Sequence, residues 1–202
     1  MSKLCAEAPA CFTYEVEDRA GSAARLAAAP GVAAAAAELG YASLPALEAD
    51  AAEHFEVLYS LTTFCLTPPG DTATRRGFFD ALLFGCIPVV FAEASRQWPW
   101  FLPPRVLPNV TALVPRDDAL AMRSGAELEA LLAREYDSAR TAAMRAVMSQ
   151  HATSLQYSVG DHGSSDAAAV GPDAADVLLW GLVNASRRRS TTPARQPSDW
   201  LF

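Results

Sequence analysis

The chain has 202 residues, 51% of them hydrophobic and 19% charged, with 16 basic against 23 acidic side chains and a formal charge of −7. That length allows about one ordinary domain, and the composition is that of a globular protein. The acidic balance excludes a broad phosphate-backbone binding surface, and no apolar run approaches the roughly 18–20 residues of a membrane span.

Met1–Cys5 does not open a signal peptide, because Glu7, Glu15, Glu17 and Asp18 follow without an apolar core. Residues 1–40 are alanine-heavy and read as short helices, broken at Pro30-Gly31 and ended at Gly40. From Ser43, placed to cap, the spacing of Leu47, Ala51, Phe55 and Leu58 predicts an amphipathic helix, on which His54 is a surface or partly packed residue rather than a ligand. Thr63–Thr67 is short and β-favouring, and Pro68-Pro69-Gly70 stops it. Asp71, Thr72 and Thr74 are candidate N-caps for a helix carrying Phe78, Phe79, Leu82 and Leu83 on one face, with Gly85 as its stop. Cys86–Phe91 reads as a second buried strand, in which Pro88 predicts an irregular or edge position. Strand, turn, helix and strand form a βαβ unit of the kind that builds parallel sheets.

Past the aromatic loop Trp98–Pro104, which reads as packing over the end of the sheet or, alternatively, as stacking on sugar rings or lining a cleft, Val110–Val114 reads as a third strand. Residues 126–150 read as helical with a break at Tyr136-Asp137-Ser138, and residues 173–185 as a last amphipathic helix. Gly160–Ser165 reads as a flexible loop, and residues 187–202, opening on Arg187-Arg188-Arg189, as a disordered tail. Of the four cysteines, Cys65 and Cys86 lie in apolar runs and read as small buried hydrophobes, whereas Cys5 and Cys11 sit in a polar segment that a disulfide could close in an oxidising compartment. The cysteines lack the paired spacing of a zinc site. Two sequons, Asn109-Val110-Thr111 and Asn184-Ala185-Ser186, permit glycosylation on the secretory route.

The chemistry concentrates at residues 70–80. A helix start exposes unpaired N–H groups and the positive end of the helix dipole, where acidic groups or anions are favoured. Here Arg75 and Arg76 occupy that turn instead. With the free N–H groups after Gly70 and the hydroxyls of Thr72 and Thr74, they describe a diphosphate cradle at the carboxyl end of a parallel strand. Asp80 is placed to accept ribose hydroxyls. The same residues also admit plain surface pairing, Arg76 with Asp80 and Arg75 with Asp71 or Glu93. No Gly-Lys-Ser/Thr follows Gly70 and no GxGxxG is present, so neither a Walker A loop nor a nicotinamide site is indicated.

The run Phe64-Cys65-Leu66-Thr67-Pro68-Pro69-Gly70-Asp71-Thr72-Ala73-Thr74-Arg75-Arg76-Gly77-Phe78-Phe79-Asp80-Ala81-Leu82, with Gly85-Cys86-Ile87-Pro88-Val89 after it, resembles the signature of exostosin-family glycosyltransferases. The likeness is to the plant and algal branch that includes xyloglucan galactosyltransferases. Trp100-Phe101-Leu102-Pro103 and the Cys5/Cys11 pair resemble further features of that branch, and the likeness runs over most of residues 50–183, strongly between 59 and 91. It implies a two-lobed GT-B enzyme, inverting and metal-independent, that transfers a sugar from a UDP-sugar or other nucleotide sugar to a cell-wall or matrix polysaccharide or a glycoprotein glycan. The implied fold of this chain is the donor-binding lobe, a Rossmann-like, three-layer α/β unit with a parallel sheet. Domain boundaries on this reading are an Ala-rich segment at 1–42, the nucleotide-sugar-binding domain at 43–186 and the tail at 187–202.

Carried over to this sequence, Gly70, Asp71, Thr72, Thr74, Arg75, Arg76 and Asp80 would bind the donor, with Arg75 and Arg76 on the diphosphate and Asp80 on the ribose. Fixed cations there would stabilise the departing nucleoside diphosphate. No catalytic residue is assigned, because the acceptor lobe and commonly the general base of such enzymes precede this region; only some 60 residues precede Phe64 here. The resemblance therefore implies that Met1 falls inside the C-terminal lobe of a longer parent, anchored in the Golgi membrane with its domain in the lumen. The sequence departs from the branch at Gly77, where serine is usual, and at Ala92-Glu93, where histidine-proline is usual, which leaves the phosphate-contacting arginine and the donor sugar open. Two alternatives stand beside this reading. One is a catalytically inactive nucleotide-binding fragment or regulatory module without the acceptor lobe. The other is a Cys-His hydrolase using Cys65 or Cys86 with His151 or His162, disfavoured because both cysteines lie in buried strands.

Overall fold

A computed structural model describes residues 19–38, 51–68, 76–92, 102–157 and 172–191. Its elements in chain order are α1 (Arg19–Ala27), α2 (Val32–Glu38), α3 (Ala51–Leu61), β1 (Phe64–Leu66), α4 (Arg76–Leu83), β2 (Ile87–Val90), β3 (Ala112–Leu113), α5 (Arg116–Ala121), α6 (Gly125–Glu135), α7 (Ser138–His151) and α8 (Ala174–Thr191). The three strands form one parallel sheet in the order β1-β2-β3, as a βαβ unit requires. The Ser43 cap and Leu47 lie outside the described residues, as do Cys5, Cys11, Trp98–Phe101, the loop at Gly160–Ser165, His162 and the chain after Thr191.

Two compact units divide the chain: residues 1–97 with 104–150, and residues 98–103 with 151–202. In the first, α1, α2 and α3 bury a cluster of Leu26, Val32, Ala35, Ala36 and Val57. The Pro30-Gly31 break turns the chain between α1 and α2 with Gly31 at φ 83°, a conformation that favours glycine. Of the α3 side chains described, Val57 is fully buried, Leu58 packs beside it and Phe55 is half-buried.

Helix α4 packs on β2 and buries Phe78 and Leu82 of the predicted face together with Ala81, while Phe79 and Leu83 are half-buried. Its end is a Schellman motif: Cys86 N donates to Ala81 O at 2.9 Å and Gly85 N to Leu82 O at 3.4 Å, with Gly85 at φ 77°. That motif hands Cys86 directly into β2.

Pro88 does not mark an edge. It is buried in β2, the central strand. The ladder explains how it fits. Ile87 N donates to Thr63 O and Val89 O accepts from Thr67 N, so the odd residues of β2 turn their polar groups toward β1. Pro88, out of phase, faces the β3 side, where pairing begins only at Val89 with Ala112. A missing donor costs nothing where no partner strand yet runs. The far edge of β3 is also managed, since Leu113 N donates to Tyr136 Oη at 3.2 Å.

The break between α6 and α7 falls where the sequence places it, at Tyr136-Asp137, with Asp137 Oδ1 accepting from Arg140 N at 2.8 Å as the cap of α7. The Arg140 guanidinium lies 4.2 Å over the Tyr136 ring. In the second unit, Asp173 Oδ1 accepts from Ala175 N and Asp176 N while Asp176 Oδ2 accepts from Asp173 N, a reciprocal cap that starts α8. The helix runs on through Thr191, past Arg187, where the sequence places the start of the tail. Leu179, Trp180, Leu182 and Val183 are exposed along it. No described helix is long and apolar enough to cross a membrane.

Candidate functional site

Of the candidate residues, the β1-α4-β2 unit places Arg76 and Asp80, both on α4. Strand β1 leaves the sheet through Thr67, whose N and Oγ1 both donate to Val89 O, at 2.9 and 2.8 Å. Gly70, Asp71, Thr72, Thr74 and Arg75 lie outside the described residues. Arg76 and Asp80 are described. Both are on α4, with Arg76 Nε 3.3 Å from Asp80 Oδ2; the Arg76 side chain is 88% exposed and that of Asp80 32%. The surface-pair alternative is thus present in this structure. An i,i+4 pair so exposed contributes only about a few tenths of a kcal/mol, so a diphosphate that recruits Arg76 gives up little.

Asp80 has a second neighbour that the sequence pattern did not single out. Tyr59, from α3, packs against the buried cluster of Cys65, Ala81 and Cys86. Its hydroxyl lies 3.2 Å from where a Cβ on Gly77 would stand. Burial, and secondarily the Asp80 carboxylate, push the Tyr59 hydroxyl above its ordinary pKa, so the phenol is neutral at physiological pH. Gly77 therefore leaves room for a phenol from another helix, beside the first turn that carries Arg76.

Cys65 and Cys86 are not free thiols. They are joined as a disulfide between β1 and the residue just before β2, with Cα atoms 5.8 Å apart, which corrects the expectation of two isolated buried hydrophobes. Register explains the bond: Cys65 pairs with Pro88, so Cys86 lies two residues before that partner, within bridging reach. The pairing removes the nucleophile from any Cys-His hydrolase built on these residues. Thr62 Oγ1 lies 3.3 Å from Cys65 Sγ and 3.2 Å from Cys86 Sγ, and donates to Leu58 O at 2.9 Å. From α7, Arg145 Nε donates to Gly85 O at 2.9 Å and Nη2 to Thr62 O at 3.3 Å. Periodicity could not reveal Arg145, because its partners are backbone atoms 60 and 83 residues away.

Residues 44–109, the stretch that holds this unit, match the Exostosin GT47 domain. That match covers about a third of the chain. The chain is also similar to curated proteins of Arabidopsis thaliana. A probable xyloglucan galactosyltransferase, GT19, is 41% identical over 61 residues, covering 29% of this chain and 14% of that protein. The xyloglucan galactosyltransferase MUR3 is 41% identical over 63 residues, covering 30% of this chain and 10% of MUR3. A xyloglucan-specific galacturonosyltransferase is 46% identical over 56 residues, covering 27% and 8%. The exostosin-type segment thus spans about a tenth of the length of these relatives. No solved structure gives a significant match.

Proposed function

We propose that this chain supplies the nucleotide-sugar-binding part of an exostosin-type glycosyltransferase acting on a cell-wall polysaccharide. The observation that carries the reading is the β1-α4-β2 unit: a parallel pair whose intervening loop and helix start hold Arg75 and Arg76, within the stretch matching the Exostosin GT47 domain. In a βαβ unit the ligand sits at the carboxyl end of the strands, beside the helix N-terminus.

On this reading the chain contributes a Rossmann-like half of a GT-B fold. Arg75 and Arg76 hold the donor diphosphate, Asp80 the ribose, and Gly70, Asp71, Thr72 and Thr74 line the loop. As the glycosidic bond to the nucleoside diphosphate breaks with inversion at the sugar, charge develops on the leaving group, and the two guanidinium groups stabilise it in place of a metal. Relatives of this chain are named for galactosyl and for galacturonosyl transfer, so the likeness by itself does not select between those two donor sugars. The Cys65–Cys86 disulfide supports an oxidising compartment, in keeping with a lumenal Golgi domain of a membrane-anchored parent.

The test is an amide NMR titration. UDP is expected to shift resonances of α4 and the preceding loop saturably, and uridine, lacking the diphosphate, to do so much more weakly. Equal binding of uridine and UDP would remove the arginine pair from the account. Sugar transfer by the isolated chain would eliminate the reading of an inactive module.

A further inference from the structure

We propose that the Cys65–Cys86 disulfide, with Thr62 and Arg145 beside it, is the positioning brace of the donor segment, and that reducing it loosens that segment while leaving α6 intact. The functional half of this inference rests on the donor-site reading above.

The two cysteines are 21 residues apart in sequence, and the loop their bond closes contains Gly70, Asp71, Thr72, Thr74, Arg75, Arg76 and Asp80. Both ends of the candidate site are thus tied to one covalent point. The strands alone are a weak tether, since β1 has three residues and pairs with β2 at three positions. The remaining supports gather at the same end. Thr62 Oγ1 touches both sulfurs, Arg145 reaches the carbonyls of Thr62 and Gly85, and the Schellman motif fixes Cys86 N on Ala81 O. At the opposite, carboxyl end of β1, Thr67 N and Oγ1 both donate to Val89 O. The described ends of the segment are therefore held together by a covalent bond and by hydrogen bonds, which limits the conformations left to the chain between the two cysteines and so lowers the ordering cost of a ligand bound there.

Reduction has a defined route. A thiolate of dithiothreitol attacks one sulfur to form a mixed disulfide. Its second thiol then displaces the protein sulfur and closes the cyclic oxidised reagent; two electrons and two protons end on Cys65 and Cys86. Cys65 is 8% exposed and Cys86 0%, so attack falls on Cys65 and requires local opening.

The experiment compares oxidised chain, reduced chain and a Cys65→Ala/Cys86→Ala variant by amide hydrogen exchange and by UDP binding. Opening the closed loop is expected to lower Tm by on the order of 10 °C. Exchange in α4 is expected to quicken about 10–100-fold with α6 little changed, and UDP affinity to fall about tenfold. An Arg145→Met variant, which keeps the disulfide, is expected to move α4 exchange in the same direction by less. Finding Cys65 and Cys86 as free thiols in the native oxidised chain would overturn the proposal, as would α4 exchange and UDP affinity that ignore reduction. If the oxidised chain does not bind UDP, the donor-site reading falls, and the exchange data still decide whether the brace exists.

Discussion

Tyr59 and Gly77 show how a single pair of residues joins two helices at the candidate site. Alanine at Gly77 would gain helix propensity worth up to about 1 kcal/mol, yet its Cβ would stand 3.2 Å from the Tyr59 hydroxyl. The two effects oppose. Gly77→Ala is therefore expected to be near neutral in the native background and stabilising by about 0.5–1 kcal/mol in a Tyr59→Phe background, a coupling that urea melts of the double-mutant cycle would reveal. Gly85 is the contrasting case. Nothing lies within 4 Å of a Cβ built there, but φ is 77°, so Gly85→Ala is expected to cost about 1 kcal/mol through backbone strain alone. Tyr59 also sets an alkaline limit. Its raised pKa means that the unfolded chain deprotonates first, so its contribution to stability is complete below about pH 10 and declines as pH rises through the higher folded value. Chemical denaturation between pH 9 and 12 should show a shallower loss for Tyr59→Phe than for the native chain.

Among the elements, α4 and β2 were legible because their signals are local. The buried face of Phe78, Ala81 and Leu82 follows helical spacing, and Gly85 stops the helix as its residue type demands. Leu82→Ala, at 3% exposure, is expected to cost about 2–5 kcal/mol in a thermal or urea melt. What escaped the sequence depends on pairing. Pro88 reads as an edge residue until the register shows that its missing donor points where β3 has not begun, and Cys65 and Cys86 read as separate until the same register brings them together. Tyr136 is a third example. It marks a helix break in the sequence, but its hydroxyl also satisfies the free edge donor Leu113 N, so Tyr136→Phe is expected to lose about 1–2 kcal/mol. Of the candidate site, the arginine-bearing helix start was readable from a broken dipole rule, whereas Tyr59 comes from a different helix and leaves no mark in the motif.

Across the whole molecule, the net charge of −7 acquires a local meaning. An acidic chain whose sequence sets Arg75 beside Arg76, the first residue of α4, reserves positive charge for a small anion on the proposed reading, while the paired cysteines tie both ends of that segment together. The central claim is that this helix start binds a nucleoside diphosphate. Its most direct test is the melting temperature of the oxidised chain against UDP concentration, with the Arg75→Ala/Arg76→Ala variant in parallel. Binding to the folded state alone contributes about 2.7 kcal/mol at one hundred times Kd, which predicts a saturating rise of roughly 5–10 °C in the native chain and almost none in the variant. A native melting temperature indifferent to UDP, or an equal rise in the variant, would contradict the account.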